Sequence, residues 1–152
     1  MDESWILLDD DTGLHVGWYF WLRVLDEANR SARYGNPFGL LLLDAEAKQT
    51  SQAGRAVADA LARVPGAIRS SDLAGVLGPG RAGVILPHQD AASAEAATRR
   101  IVNDLEKRGG GVVWSARLLC YPGDGAEISN LLTEGTTERR PKESRPTLEQ
   151  PA

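Results

Sequence analysis

The sequence predicts an α/β sandwich in which helices flank a mainly antiparallel sheet. Three observations support this. Residues 38–43 form an almost unbroken apolar run, and residues 73–86 read as strand, tight turn and strand. Amphipathic stretches with the period of a helix surround them at residues 16–33, 53–64 and 91–108. An apolar run of this kind is typical of a central strand buried on both faces.

Length, composition and charge limit the possible classes of protein. The chain has 152 residues, of which 42% are hydrophobic and 25% charged, as expected of one globular domain. The net charge of -4 argues against broad binding to nucleic acid or to anionic membranes. The single Cys120 excludes an intramolecular disulfide and a cysteine-based zinc site. No apolar run is long enough to span a membrane, and the acidic start is unlike a signal peptide, so we expect a cytoplasmic protein.

The first predicted helix is amphipathic and carries four consecutive aromatic residues. The pattern places Trp18, Leu22 and Leu25 on the core face. Residues 18–21 cannot all face one core, so some of them are expected to contact a partner. Alternatively, Trp5 and the C-terminal tail cover them. Both interpretations stay open at this point.

The central strand ends in two acids, Asp44 and Glu46. An acid at the end of such a strand can hold a divalent metal in a polymerase-like site, but that site needs a second facing acid. The predicted hairpin presents no acid, because its turn consists of residues 78–81, Gly-Pro-Gly-Arg. We therefore predict no metal site, with Asp44 and Glu46 as a solvated strand end.

The remaining segments complete the predicted fold. Pro65 ends the second helix, and the run of glycines at residues 109–111 ends the third. A strand at residues 112–120 and a short helix from residue 128 follow. Residues 136–152 are polar, charged and proline-containing, which predicts a disordered tail after one domain at residues 1–135.

Several motifs follow one another in an order that resembles the GGDEF family of diguanylate cyclases. They are Asp11-Thr12-Gly13-Leu14, Arg33-Tyr34-Gly35-Asn36-Pro37-Phe38, Leu40 to Asp44, Arg69 to Asp72, and the hairpin turn. The resemblance covers about residues 9–132 and implies a palm-type, nucleotidyl cyclase-like sandwich in a bacterial signalling protein. At the signature, residues 78–82 read Gly-Pro-Gly-Arg-Ala instead of Gly-Gly-Asp-Glu-Phe. The resemblance implies that Asp44 faces this turn, so we expect a vestigial Asp44 that pairs with Arg81 and holds no metal. Because phosphoryl transfer depends on metal-assisted charge neutralisation, we expect cyclase activity to be lost and no cofactor to be needed.

The same resemblance implies a ligand site away from the signature. Arg69 and Asp72 match the family's R-x-x-D inhibitory site, which binds cyclic di-GMP, and Arg100 falls on the helical arginine that completes it. A guanidinium can hold a phosphate or stack on guanine, while a carboxylate accepts hydrogen bonds from the guanine edge. The alternative is a local ion pair between Arg69 and Asp72, with Arg100 an ordinary exposed residue.

The resulting functional hypothesis is a catalytically inactive GGDEF-like domain that acts as a cyclic di-GMP receptor or regulatory module. The alternative is a nucleotide-independent scaffold that binds a protein partner or forms a homodimer through residues 18–21 and the tail. A third hypothesis is residual GTP binding or an enzyme that uses Asp44 and Glu46. No nucleic-acid or membrane partner is expected.

Overall fold

The computed structural model of the protein describes residues 7–138. Its elements, in chain order, are α1 (Gly17–Tyr34), β1 (Phe38–Ala47), α2 (Ala53–Leu61), a 3₁₀ helix (Val64–Ala67), β2 (Leu73–Gly78), β3 (Arg81–Pro87), α3 (Ala91–Lys107), β4 (Val112–Tyr121) and α4 (Gly125–Glu138). None of these helices has both the length and the apolar character of a membrane-spanning segment.

The four strands form one antiparallel sheet in the order β2-β3-β1-β4. The apolar strand β1 lies in its interior, as the sequence predicts, with helices on both faces of the sheet. Leu41 and Leu43 contribute to the core beneath α2 and α3, while Phe38 and Leu40 contribute to the core beneath α1 and α4. The predicted α/β sandwich is therefore confirmed. The hairpin turn between β2 and β3 lies beside the end of β1, since Asp44 pairs with Arg81 in the sheet register.

The core face of α1 differs from the predicted one. Phe20, Trp21 and Val24 are buried, whereas Leu25 is 40% exposed. The reason lies in the facing strands, where the Phe20 ring packs directly on Gly75 and Gly83. A Cβ atom at Gly83 would lie 2.7 Å from the Phe20 ring. The missing side chains leave room for a large aromatic ring, so they determine which side of the helix faces the sheet.

The aromatic segment at residues 18–21 is divided between the core and the surface. Phe20 and Trp21 are buried, and Trp18 and Tyr19 are half-buried against each other with ring centroids 6.2 Å apart. The alternative that Trp5 covers the segment lies outside the described residues.

Helix α4 continues past Gly135 to Glu138, so it includes the first three residues of the segment predicted to be a disordered tail. Gly135 packs against the Trp21 indole so closely that any Cβ atom there would collide with the ring. This glycine therefore allows α1 and α4 to approach each other and does not end the helix. Residues 139–152 of the predicted tail lie outside the described residues.

Candidate functional site

A cavity of about 540 Å³ opens where the loop before α1 meets the segment before β2. Three of its lining residues belong to that loop, and the others lie between the 3₁₀ helix and the start of β2, both included. Together these residues are Gly13, Leu14, His15, Pro65, Ile68, Arg69, Ser70, Asp72, Leu73 and Ala74. The structure thus places two of the three predicted ligand-binding residues, Arg69 and Asp72, at one cavity.

Asp72 is nearly buried, at 8% exposure, and is held in place by the backbone of Arg69. Its Oδ2 accepts a hydrogen bond from the Arg69 backbone N–H at 2.9 Å, and its own backbone N–H donates to the Arg69 carbonyl at 3.0 Å. Its other oxygen, Oδ1, is buried and has no hydrogen-bond partner within residues 7–138. A buried acceptor without a donor costs free energy, so this carboxylate has unused capacity to bind a donor.

Arg69 is exposed and lines the same cavity as Asp72. Among the ion pairs of the described part of the chain, none joins Arg69 to Asp72, so the alternative of a local ion pair is not what the structure shows. Arg100 is exposed on α3 and is not among the residues that line the cavity. Helix α3 packs against the 3₁₀ helix just before Arg69, which places Arg100 on a neighbouring element.

His15 is a cavity residue that the sequence did not indicate. Its Nδ1 lies 3.2 Å from the Ala74 carbonyl oxygen, and its ring lies against Tyr19 at a centroid distance of 5.2 Å. These contacts depend on a backbone bridge between His15 and Gly75, which are far apart in the chain. No local pattern around His15 reports such a bridge, so only the folded chain shows it.

At the opposite end of the hairpin, the predicted pair of Asp44 and Arg81 is confirmed. Arg81 Nε donates to Asp44 Oδ1 at 3.0 Å, with both side chains more than half exposed. Gly80 has a φ of +71°, and a Cβ atom there would lie 2.6 Å from the Ala45 carbonyl oxygen. Only glycine fits this turn without rearrangement, so a carboxylate at this position is sterically disfavoured.

A second cavity of about 440 Å³ lies next to this ion pair, between the sheet and α4. Asp44, Arg81, Arg117 and Glu134 contribute its charged lining. Arg117 forms an ion pair with Glu127, so both arginines of this cavity have a carboxylate partner. Within residues 7–138 no group of three or more His, Cys, Asp or Glu side chains has the arrangement of a metal site.

Comparison with known proteins gives matches at the level of structure. No protein-family model and no curated protein sequence matches the chain. A diguanylate cyclase protein from Thermotoga maritima superimposes with a TM-score of 0.66 and 16% identity, covering 84% of this chain and 98% of its own. The GGDEF domain of YfiN (TpbB) from Pseudomonas aeruginosa gives 0.67 and 20%, covering 83% and 88% of the two chains.

A third match is the GGDEF domain of DgcB from Caulobacter crescentus, solved in complex with c-di-GMP. Its TM-score is 0.65 at 18% identity, over 90% of this chain and 89% of that domain. The sequence-based expectation of a GGDEF-like, palm-type fold is therefore confirmed. At these identities the similarity concerns the fold, and the chemistry of this chain has to be argued from its own residues.

Proposed function

Because the chain has the fold of GGDEF domains, we propose that it is a receptor for cyclic di-GMP that makes none itself. The ligand binds at the cavity of Arg69 and Asp72, and Arg100 contacts it from α3. The observation that carries this proposal is the buried Asp72 Oδ1, which has no hydrogen-bond donor within residues 7–138 and lines the same cavity as the exposed Arg69.

The chemistry of the ligand complements these two side chains. Guanine presents adjacent N–H donors on one edge, and the free oxygen of Asp72 can accept from them. The Arg69 guanidinium, which has no partner among the described residues, can bind a pair of phosphate oxygens or stack on the base. A ligand that supplies the missing donor removes the cost of the buried acceptor, which favours the bound state. The DgcB domain, which shares this fold, was itself solved with c-di-GMP.

Loss of synthesis follows from the hairpin turn. The guanidinium of Arg81 occupies one oxygen of Asp44, and position 80 has no room for a second carboxylate. Without two carboxylates the site cannot hold the metal ions that neutralise the charge of a triphosphate.

Restoring the acids of the signature should therefore fail to restore synthesis. The double variant Gly80→Asp, Arg81→Glu is expected to form no cyclic di-GMP from GTP and Mg²⁺, because the new aspartate side chain would collide with the Ala45 carbonyl. Chromatographic detection of product measures this, and circular dichroism shows whether the variant is folded. Product formation by the folded double variant would contradict the steric argument.

Ligand binding is tested by the melting temperature. A hundredfold excess of cyclic di-GMP over its Kd stabilises the native state by about 2.7 kcal/mol, which raises the melting temperature by several degrees. Arg69→Ala should abolish this rise. Arg55→Ala is the matched control, since Arg55 lies exposed on α2, away from the cavity, and within residues 7–138 its one ion pair is with Asp59. An unchanged melting temperature at saturating ligand would favour the interpretation as a nucleotide-independent interaction scaffold.

A further inference from the structure

The two outer strands of the sheet, β2 and β4, differ in whether another part of the chain covers their free edge. The edge of β2 is covered by the loop before α1, where the His15 N–H donates to the Ala74 carbonyl at 3.1 Å and the Val76 N–H donates to the His15 carbonyl at 2.9 Å. A bulge between Val76 and Gly78 further interrupts this edge. These are common devices by which proteins prevent strand addition.

Two hydrogen bonds show which backbone groups of β4 point away from the sheet. The Lys48 N–H donates to the Gly111 carbonyl at 2.9 Å, which makes residue 111 an inward-bonded position. Cys120 instead exchanges both its backbone groups with Asp124, which makes residue 120 an outward position. Because inward and outward positions alternate in an antiparallel strand, the outward row can be assigned. It consists of Val112, Trp114, Ala116 and Leu118.

In the described part of the chain this outward row is free of hydrogen bonds beyond the sheet, although Val112 and Trp114 are buried and only Ala116 and Leu118 are exposed or half-buried. Within residues 7–138, no hydrogen bond from outside the sheet reaches the backbone of those four residues. Strand β4 has ten residues, contains neither glycine nor proline, and pairs with β1 in continuous register. Its only charged residue is Arg117. Val113 is 55% exposed and Ala116 is exposed. A long, regular strand edge with so little protection is a template for another strand.

We propose that β4 pairs with β4 of a second copy of this chain, antiparallel, with Ser115 on the two-fold axis. This register uses every outward backbone group of the four residues. Val112 forms backbone hydrogen bonds with Leu118 of the second copy, and Trp114 forms them with Ala116 of the second copy. The two strands exchange about eight backbone hydrogen bonds. Large side chains lie opposite small or medium ones, and the two sheets become one continuous sheet.

The side chains on the exposed face also suit a second copy. In this register Val113 lies opposite Arg117 of the second copy, so no like charges are directly opposed. Glu46 is exposed and pairs with Val113 from the β1 side, which puts an acid two strands from that arginine. Two strand spacings amount to about 10 Å between backbones. Arg117 already forms an ion pair with Glu127 of its own chain, so each strand brings a neutralised charge to the contact, and Glu46 adds no repulsion.

The chain's own C-terminal segment is a poorer occupant of this edge. Residues 139–152 contain Pro141, Pro146 and Pro151, so no stretch of normal strand length is free of proline. Proline lacks the N–H donor that pairing with β4 requires.

A charge on the two-fold axis tests the proposal. Ser115→Lys opposes two ammonium groups in the dimer, whereas in the single chain the new lysine faces Asp44 across the strands and is tolerated. Sedimentation velocity over a range of concentrations should show a dimer for the unmodified chain and at least about a tenfold rise in its dissociation constant for Ser115→Lys. Ser129→Lys, the same change on the exposed surface of α4, should leave the dimer unchanged.

Disulfide trapping tests the register independently. Directly opposed residues that are not hydrogen-bonded have Cα atoms about 4.5 Å apart, within the range of a disulfide. In a Cys120→Ser background, Ser115→Cys should cross-link to a covalent dimer under mild oxidation, and Ser129→Cys should not. A chain that stays monomeric at all concentrations, a dimer that Ser115→Lys does not weaken, or equal cross-linking of the two cysteine variants would each overturn the proposal.

Discussion

Replacing Phe20 by alanine is expected to destabilise the protein by about 3–5 kcal/mol, the range for removing a buried aromatic side chain. Phe20 is fully buried and fills the space above Gly75 and Gly83, which have no side chains to occupy the resulting cavity. Strands β2 and β3 can move inward only by distorting the sheet. Chemical unfolding followed by circular dichroism measures the change in the free energy of unfolding.

The matched control for this prediction lies on the same helix. Leu25 is 40% exposed, so Leu25→Ala should cost about 1 kcal/mol or less. Equal losses for the two variants would contradict the assignment of Phe20, and not Leu25, to the core face of α1.

Replacing Asp72 by asparagine is expected to weaken cyclic di-GMP binding by about ten- to a hundredfold. The carboxamide of the Asp72→Asn variant can still accept the Arg69 N–H through its carbonyl oxygen, so the loop keeps its conformation. The amide nitrogen then occupies the position of the free oxygen and opposes the guanine N–H donors. Hydrogen bonds to a charged group are worth about 1.5–3 kcal/mol, which corresponds to that loss of affinity. Isothermal titration calorimetry measures the two dissociation constants.

A second carboxylate provides the control for this substitution. Asp59 is exposed on α2 and pairs with Arg55, so Asp59→Asn removes the same charge without touching the cavity. Tight binding by the Asp72→Asn variant would show that the free oxygen has no role in recognition.

Much of the fold follows from local patterns in the sequence. The apolar run that becomes β1, the turn at residues 78–81 and the glycine run after α3 each act over a few residues, and the structure has these elements where the patterns put them. Helix α2 instead ends at Leu61, before the predicted stop at Pro65, which lies in the 3₁₀ helix, and α4 begins at Gly125, three residues earlier than predicted. The Asp44–Arg81 pair was predictable only through the GGDEF resemblance, which places the hairpin turn opposite the end of β1, and the strand register has the two residues directly paired.

The parts that the sequence did not reveal depend on contacts between distant segments. The orientation of α1 depends on two glycines of the opposing sheet, and the length of α4 on the fit of Gly135 beneath Trp21. A helical period shows that a core face exists, but shape complementarity between layers selects among adjacent faces. The contribution of His15 to the cavity likewise needs the bridge to β2, which closes only in the folded chain.

The central claim is most directly tested by calorimetric titration of the unmodified protein with cyclic di-GMP. We expect saturable, micromolar binding that is lost in the Arg69→Ala variant, strongly reduced in Asp72→Asn and weakened in Arg100→Ala, with no comparable binding of GTP and Mg²⁺. Absence of heat and of any thermal shift at millimolar cyclic di-GMP, or binding that survives all three substitutions, would contradict a receptor that acts through this cavity.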